Sequence, residues 1–254
     1  MPKIKWIAYK DLHRRLFWAV HAIALGLLLQ CTSRENIAIH DNQVEIALET
    51  GQFLTGWLFE PVLKEPTPSI IMQLEQARPT DASLQFAGRI ARLGYHVLIL
   101  ESKTSDDAES SEHSSQTAFE AAVKFMRLRQ SVLAEKIGLF AIGTASVSAI
   151  LTAASDSLIA EVVVLGLTPR KNTSDLLTAL PKIPPRPLVL IAPMQSPNLL
   201  QQETQDFYQA ISEPKKLVWL ATDRYDASLL ASDLEPVVRR IIVLLSDRYL
   251  KVQS

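Results

Sequence analysis

Few side chains of this chain are placed for covalent or acid–base chemistry. The only cysteine, Cys31, ends an apolar run, and the five histidines stand at 13, 21, 40, 96 and 113, so none follows residue 113. Ser146, in Thr144-Ala145-Ser146-Val147-Ser148, is a serine with small residues two positions to either side, the local setting of a hydroxyl nucleophile. Such a hydroxyl is weak until a neighbouring base takes its proton. Asp106, Asp107, Glu109, Glu112 and His113 crowd a serine-rich stretch and invite comparison with a metal site. Their spacing matches no EF-hand loop, and acid-rich stretches are ordinarily solvated, so no metal is expected. The eight glycines, at 26, 51, 56, 88, 94, 138, 143 and 166, are never spaced as GxG, GxxxxGK or GxSxG. Dinucleotide, Walker and intact nucleophile-elbow motifs are therefore absent, and no cofactor is expected.

The elements that position these residues begin after a distinctive start. Lys3, Lys5, Lys10, Arg14 and Arg15 precede an uncharged, mostly apolar run from Leu16 to Leu29, followed by Gln30 and Cys31. Fourteen helical residues rise about 21 Å, short of a hydrocarbon core of about 30 Å. A basic start and a short apolar run read as a secretory signal. With the cysteine at its end, the segment resembles a bacterial lipoprotein signal, with Gln30 where that family prefers Gly, Ala or Ser. The resemblance implies residues 1–30 as signal, 31–42 as a polar tether and 43–254 as one domain. It also implies a lipid anchor on Cys31 and an exported protein held on a membrane of the bacterial cell envelope. Removal of residues 1–30 takes away five basic residues and one acid and moves the net charge from −1 to −5. A mildly acidic domain has no electrostatic reason to seek nucleic acid.

Beyond residue 43 strand and helix signals alternate. Val44–Leu48 and Phe53–Phe59 flank Thr50-Gly51 as a hairpin. Continuous apolar strands are expected at Ser69–Leu74, Tyr95–Leu100, Lys136–Ile142, Ala160–Leu167, Pro187–Ala192 and Leu217–Ala221. Helices are expected from Thr80 or Asp81 to Gly94, around Phe119–Met126, from Ala145 to Ala154, near Asp175–Leu180, through Leu200–Ile211 and from Leu234 to Tyr249. Residues 102–115 read as a loop. Strands apolar throughout are buried on both faces, so the fold class is α/β: a three-layer αβα sandwich with a mainly parallel sheet and an N-terminal antiparallel hairpin.

This order resembles the α/β-hydrolase fold over about residues 43–250. ARLGYHVLILE and FEAAVKFMRLRQSVLAEKIGLFAIG are similar to segments of dienelactone-hydrolase-like and small esterase members. The short Leu167–Pro187 connection implies no lid domain. In that family the catalytic serine sits on a sharp turn after the central strand. The resemblance places Ala141 and Ala145 at the small flanks of that turn and Gly143 at the nucleophile position, where no oxygen is available to attack. The acid position falls in Met194-Gln195-Ser196-Pro197, with Ser196 in place of a carboxylate, and the histidine position falls on Tyr225. A tyrosine, with an ordinary pKa near ~10, does not shuttle protons near neutrality as a histidine at ~6.5 does. The fold's chain order of serine, acid, histidine needs a histidine after the turn, and this chain has none. A carboxylate at Glu75, beside the oxyanion-stabilising loop, would oppose a developing negative charge if it faced it.

The expectation is a non-catalytic hydrolase-fold protein, with no catalytic residues, that serves as a binding or interaction module of the cell envelope. Its crevice is expected along Gln73, Leu74, Glu75, Gly143, Thr144, Met194, Gln195, Ser196, Asp223 and Tyr225, open to a small molecule, a lipid or a protein. The competing expectation is a serine ester or peptide hydrolase with Ser146 as displaced nucleophile.

Overall fold

A computed structural model describes residues 42–74, 76–102, 108–167, 180, 187–195, 198–224 and 227–230, all within the unit His40–Ser254. The expected signal, the tether as far as residue 41 and the closing helix lie outside the described residues, as does the helix near Asp175 apart from Leu180. Among the described residues no helix is long and apolar enough to cross a membrane.

Eight strands form one sheet: β1 Gln43–Ala47, β2 Phe53–Phe59, β3 Thr67–Gln73, β4 His96–Leu100, β5 Val132–Ile142, β6 Ile159–Leu165, β7 Leu188–Pro193 and β8 Lys215–Leu220. Their spatial order is β1-β2-β4-β3-β5-β6-β7-β8. β1 and β2 pair antiparallel, β2 joins β4 antiparallel, and every pairing from β4 through β8 is parallel. The expected sandwich with an N-terminal hairpin is the architecture found. The hairpin closes through Gly51, whose φ of +78° suits a residue without Cβ and whose N–H donates to the Leu48 carbonyl at 3.0 Å.

The helices are α1 Asp81–Arg92, α2 Ala108–Arg127, α3 Ala145–Ser155 and α4 Asn198–Ala210, with a short 3-10 turn at Ala227–Leu230. Thr80 caps α1: its Oγ1 accepts from the Ser83 N–H at 3.3 Å, and Ser83 Oγ donates back to the Thr80 carbonyl at 2.8 Å. Gly94, at φ +97°, ends that helix and turns the chain into β4. On one face of the sheet Ile71, Leu98 and Leu139 pack with Phe119, Val123 and Met126 of α2 and Ile150 of α3. Side chains alternate along a strand, so Phe140 points to the other face, where Phe86 of α1 meets it with ring centroids 5.9 Å apart. All five residues of β4 and all six of β7 are buried.

Two boundaries depart furthest from the sequence reading, the others shifting by a residue or two. The stretch read as a loop to residue 115 is helical from Ala108, because the apolar face of Ala118, Phe119, Ala122 and Val123 carries a helix that continues into its polar amino-terminal turns. β5 begins at Val132 rather than Lys136, because Thr67 pairs with Val132 across a register shift that local composition does not announce.

Candidate functional site

The parallel pairing puts the carboxyl ends of β3 to β8 on one edge, where open α/β sheets carry their ligand crevices. There β5 passes into α3 within two residues. Gly143 has φ +64° and donates its N–H to the Leu165 carbonyl of β6 at 2.9 Å. Thr144 is already in the right-handed helical region, and α3 starts at Ala145. A residue with a Cβ at such a φ is strained by about 1–3 kcal/mol, whereas glycine is not. The strand–turn–helix step that would lift a nucleophile's side chain over the sheet is thus built around a residue that has none.

Ser146 lies three residues on, in the first turn of α3, with its N–H donating to the Gly143 carbonyl at 3.2 Å. Its side chain is 0 % exposed, and Oγ has no hydrogen-bond partner among the described residues. In this conformation the hydroxyl is closed to a substrate arriving from solvent.

At the end of β3, Gln73 is buried opposite Leu100 and Ala141, and its Nε2 donates to Ser115 Oγ of α2 at 3.2 Å while Oε1 has no partner. Leu74 follows it into the core. Beyond β7 and β8 the chain is cross-linked by its backbone: Met194 N–H donates to the Leu220 carbonyl at 2.7 Å and Gln195 N–H to the Thr222 carbonyl at 3.0 Å. Gln201 of α4 donates from Nε2 to the Met194 carbonyl at 2.9 Å. The Met194, Gln195 and Asp223 side chains are exposed, and Thr144 is half-buried. Gln73, Leu74, Gly143, Thr144, Met194, Gln195 and Asp223 therefore share one edge, with Gln73 and Leu74 beneath its surface. Glu75, Ser196 and Tyr225 lie outside the described residues, as does Cys31.

The charged residues described at this edge are exposed or half-buried. Arg78 Nε and Glu101 Oε1 pair at 3.2 Å beside the end of β4, with the arginine largely in water. Asp106 and Asp107 lie outside the described residues, and among the described residues no group of three or more His, Cys, Asp or Glu is gathered as metal ligands would be. The buried titratable groups among the described residues, His96, Tyr95 and Glu161, stand at the opposite edge, a cluster that the sequence pattern does not announce. His96 opens β4, and its Nε2 lies 2.9 Å from the Ser131 carbonyl while Nδ1 has no partner. Burial holds its pKa below the ordinary value; the Ser131 contact and Glu60 pull it upward and Arg129 pushes it down. Tyr95 is pushed up to about 12, first by burial and then by the nearby Glu161 carboxylate. Their sequence signal is slight: a titratable residue at the start of an otherwise apolar strand.

No family model matches the chain, and no curated protein matches its sequence. Solved structures do match its fold. A dienelactone hydrolase from Anabaena variabilis ATCC 29413 superposes with a TM-score of 0.65 at 16 % identity, over 82 % of this chain and 96 % of that one. An alpha/beta hydrolase from Penicillium sp. sh18 gives 0.62 at 16 % identity, over 82 % and 98 %. The esterase domain of a Rhodothermus marinus protein gives 0.62 at 15 % identity, over 81 % and 95 %. The chain has the α/β-hydrolase fold.

Proposed function

We propose that this chain is a non-catalytic α/β-hydrolase-fold protein, a binding or interaction module carried on the cell envelope by a lipid on Cys31. The observation that carries the reading is Gly143: the residue at the turn between β5 and α3 has the positive φ of a nucleophile elbow and no side chain. Two further observations support it. The buried polar residues described at that edge, among them Gln73, Ser115 and Ser146, are uncharged. No histidine follows residue 113, so a base would have to reach the edge from earlier in the chain. Fold alone does not assign an activity, and the crevice at the strand ends remains a place for a ligand when its chemistry is gone. The module would take a small molecule, a lipid or a protein there, and no nucleic acid.

A fluorophosphonate probe on purified protein tests the reading. The expected result is no labelling and no turnover of short p-nitrophenyl esters. Labelling that disappears in Ser146→Ala would establish the second reading, a hydrolase with a displaced nucleophile. That reading is favoured by the unpartnered Ser146 Oγ and by the hydrolase and esterase among proteins of similar fold, and it is opposed by that side chain's burial. The anchor has its own test: Cys31→Ala is expected to move the protein from the membrane fraction to the soluble one.

A further inference from the structure

Among the described residues seven large apolar side chains are exposed, and five of them sit at the amino edge of the sheet, away from the crevice edge. Val62 and Leu63 occupy the β2–β3 loop. Leu93 stands between α1 and β4, Leu128 between α2 and β5, and Leu158 between α3 and β6. A segment leading into a parallel strand must lie at that strand's amino end, so topology alone places them together. They are not grazing exposures: Val62 is 98 % and Leu128 85 % accessible. Taken in the sheet order β2, β4, β3, β5, β6, these loops follow one another over about 20 Å, at ~4.8 Å per strand spacing. A small-molecule or peptide site gathers apolar groups around a concavity. Single apolar tips spread along an edge suit a broad planar surface such as the headgroup–acyl boundary of a bilayer.

The chain's own path points the same way. β1 is antiparallel to β2, which is antiparallel to β4, so β1 runs in the direction of the parallel strands and starts toward the amino edge. There the Asn42 carbonyl accepts from the Leu58 N–H at 2.8 Å. The described chain thus begins, at residue 42, on that side. Cys31 stands twelve residues before Gln43, a reach of at most about 40 Å even when fully extended.

We infer that the amino edge of the sheet is a membrane-facing surface, whose occupant is the bilayer that holds the lipid on Cys31. This rests on the anchor reading above. It adds an orientation: Val62, Leu63, Leu93, Leu128 and Leu158 touch the interface, and the crevice edge with Gly143 faces water. The ligand of that crevice is then one delivered from the aqueous side.

The test uses the full-length lipidated protein in phosphatidylcholine–phosphatidylglycerol vesicles. Single cysteines are introduced as Val62→Cys or Leu128→Cys at the amino edge, and as Phe53→Cys or Met194→Cys at the crevice edge. Each is labelled with a nitrobenzoxadiazole fluorophore and quenched by nitroxide-bearing phosphatidylcholine. All four positions are exposed, so labelling leaves the core intact, which circular dichroism checks. Quenching at 62 and 128 several-fold above that at 53 and 194 is the expected result. Equal quenching at both edges, or stronger quenching at 53 and 194, in protein that floats with the vesicles overturns the orientation and leaves the anchor standing. Protein that does not float overturns the anchor and the orientation with it. A concentration-dependent change at 62 and 128 in detergent without lipid would assign the face to a second copy of the chain and overturn the bilayer as occupant.

Discussion

At the carboxyl edge of the sheet, Gly143 and Gly166 hold φ of +64° and +59°, their N–H groups bond to carbonyls of the adjacent strands, and the buried polar side chains described are uncharged. At the amino edge Gly94 holds a positive φ as well, but there buried and half-buried side chains carry charge. Arg127 grips Asp156 with two bonds, at 2.6 and 3.1 Å, Arg129 pairs with Glu60 at 2.5 Å, and His96, Tyr95 and Glu161 are buried nearby. Among the described residues, the end with the strand–turn–helix step holds no buried titratable group, and the end with the buried titratable groups has no such step. A turn of this φ needs no side chain to persist, because glycine adopts it without strain and the hydrogen bonds that hold it are backbone bonds. A charged pair at a helix terminus does structural work wherever its partners are held.

The sharpest way to break the contrast is to remove charge from the structural edge. Asp156 accepts both Arg127 bonds and also the Leu158 N–H at 2.9 Å. Asp156→Ala is expected to destabilise the protein by about 2 kcal/mol, from lost charge-assisted bonds and a half-buried guanidinium left alone. Urea unfolding measures it, and a loss below half a unit of free energy would mean that the pair is only a surface ornament. Adding a side chain at the crevice edge comes next. Gly143→Ser is expected to cost about 1–2 kcal/mol through its positive φ and to produce no ester hydrolysis. Turnover by this single variant would show that a base and an orienter stand at that edge after all.

The third expectation concerns acid. His96 is buried with its folded pKa below the ordinary 6.5, so the unfolded chain binds the proton more readily. Its neutral form contributes stability above pH ~6.5 that is lost as pH falls through the lower folded value. The midpoint of thermal unfolding should drop from pH 7.5 to pH 5, and His96→Gln should flatten that drop. An unchanged slope in the variant would assign the acid sensitivity elsewhere. A smaller effect of opposite sign is expected at the crevice edge, where Ser146→Ala removes a buried hydroxyl that has no partner. The variant should be as stable as the parent or up to about 1 kcal/mol more so. A clear loss would show that Oγ is bonded in solution. The least effect belongs to Glu49→Gln: Lys124 holds the Glu49 carboxyl below its usual range, yet both groups lie in water, so thermal unfolding should match the parent within error.

Much of the fold was legible because buried parallel strands leave unbroken apolar runs. Phe53–Phe59 reads off the sequence to the residue, and HVLIL and LVLIA need no context. The start of β5 was not legible, since its first residues are held by Thr67 on another strand across a shifted register. Nor was the start of α2, whose first residues are polar and follow a helix specified further along. At the candidate site Gly143 was visible from the flanking Ala141 and Ala145 on the resemblance to the hydrolase turn. The closure of Ser146 was not visible, because a serine in a first helical turn looks the same whether its hydroxyl meets solvent or core.

The order of residues alone fixed the absence of histidine after position 113, the lone cysteine at the end of an apolar run, and the alternation of strand and helix, since each is a matter of count or local pattern. The tertiary structure alone decided what shares an edge. His96, Glu161 and the half-buried ion pairs meet at one end of the sheet, and Gln73, Gly143 and Met194 at the other, because parallel pairing aligns strand ends that lie far apart in sequence. Burial there, and not residue type, sets which hydroxyl is shut away and which ring resists a proton.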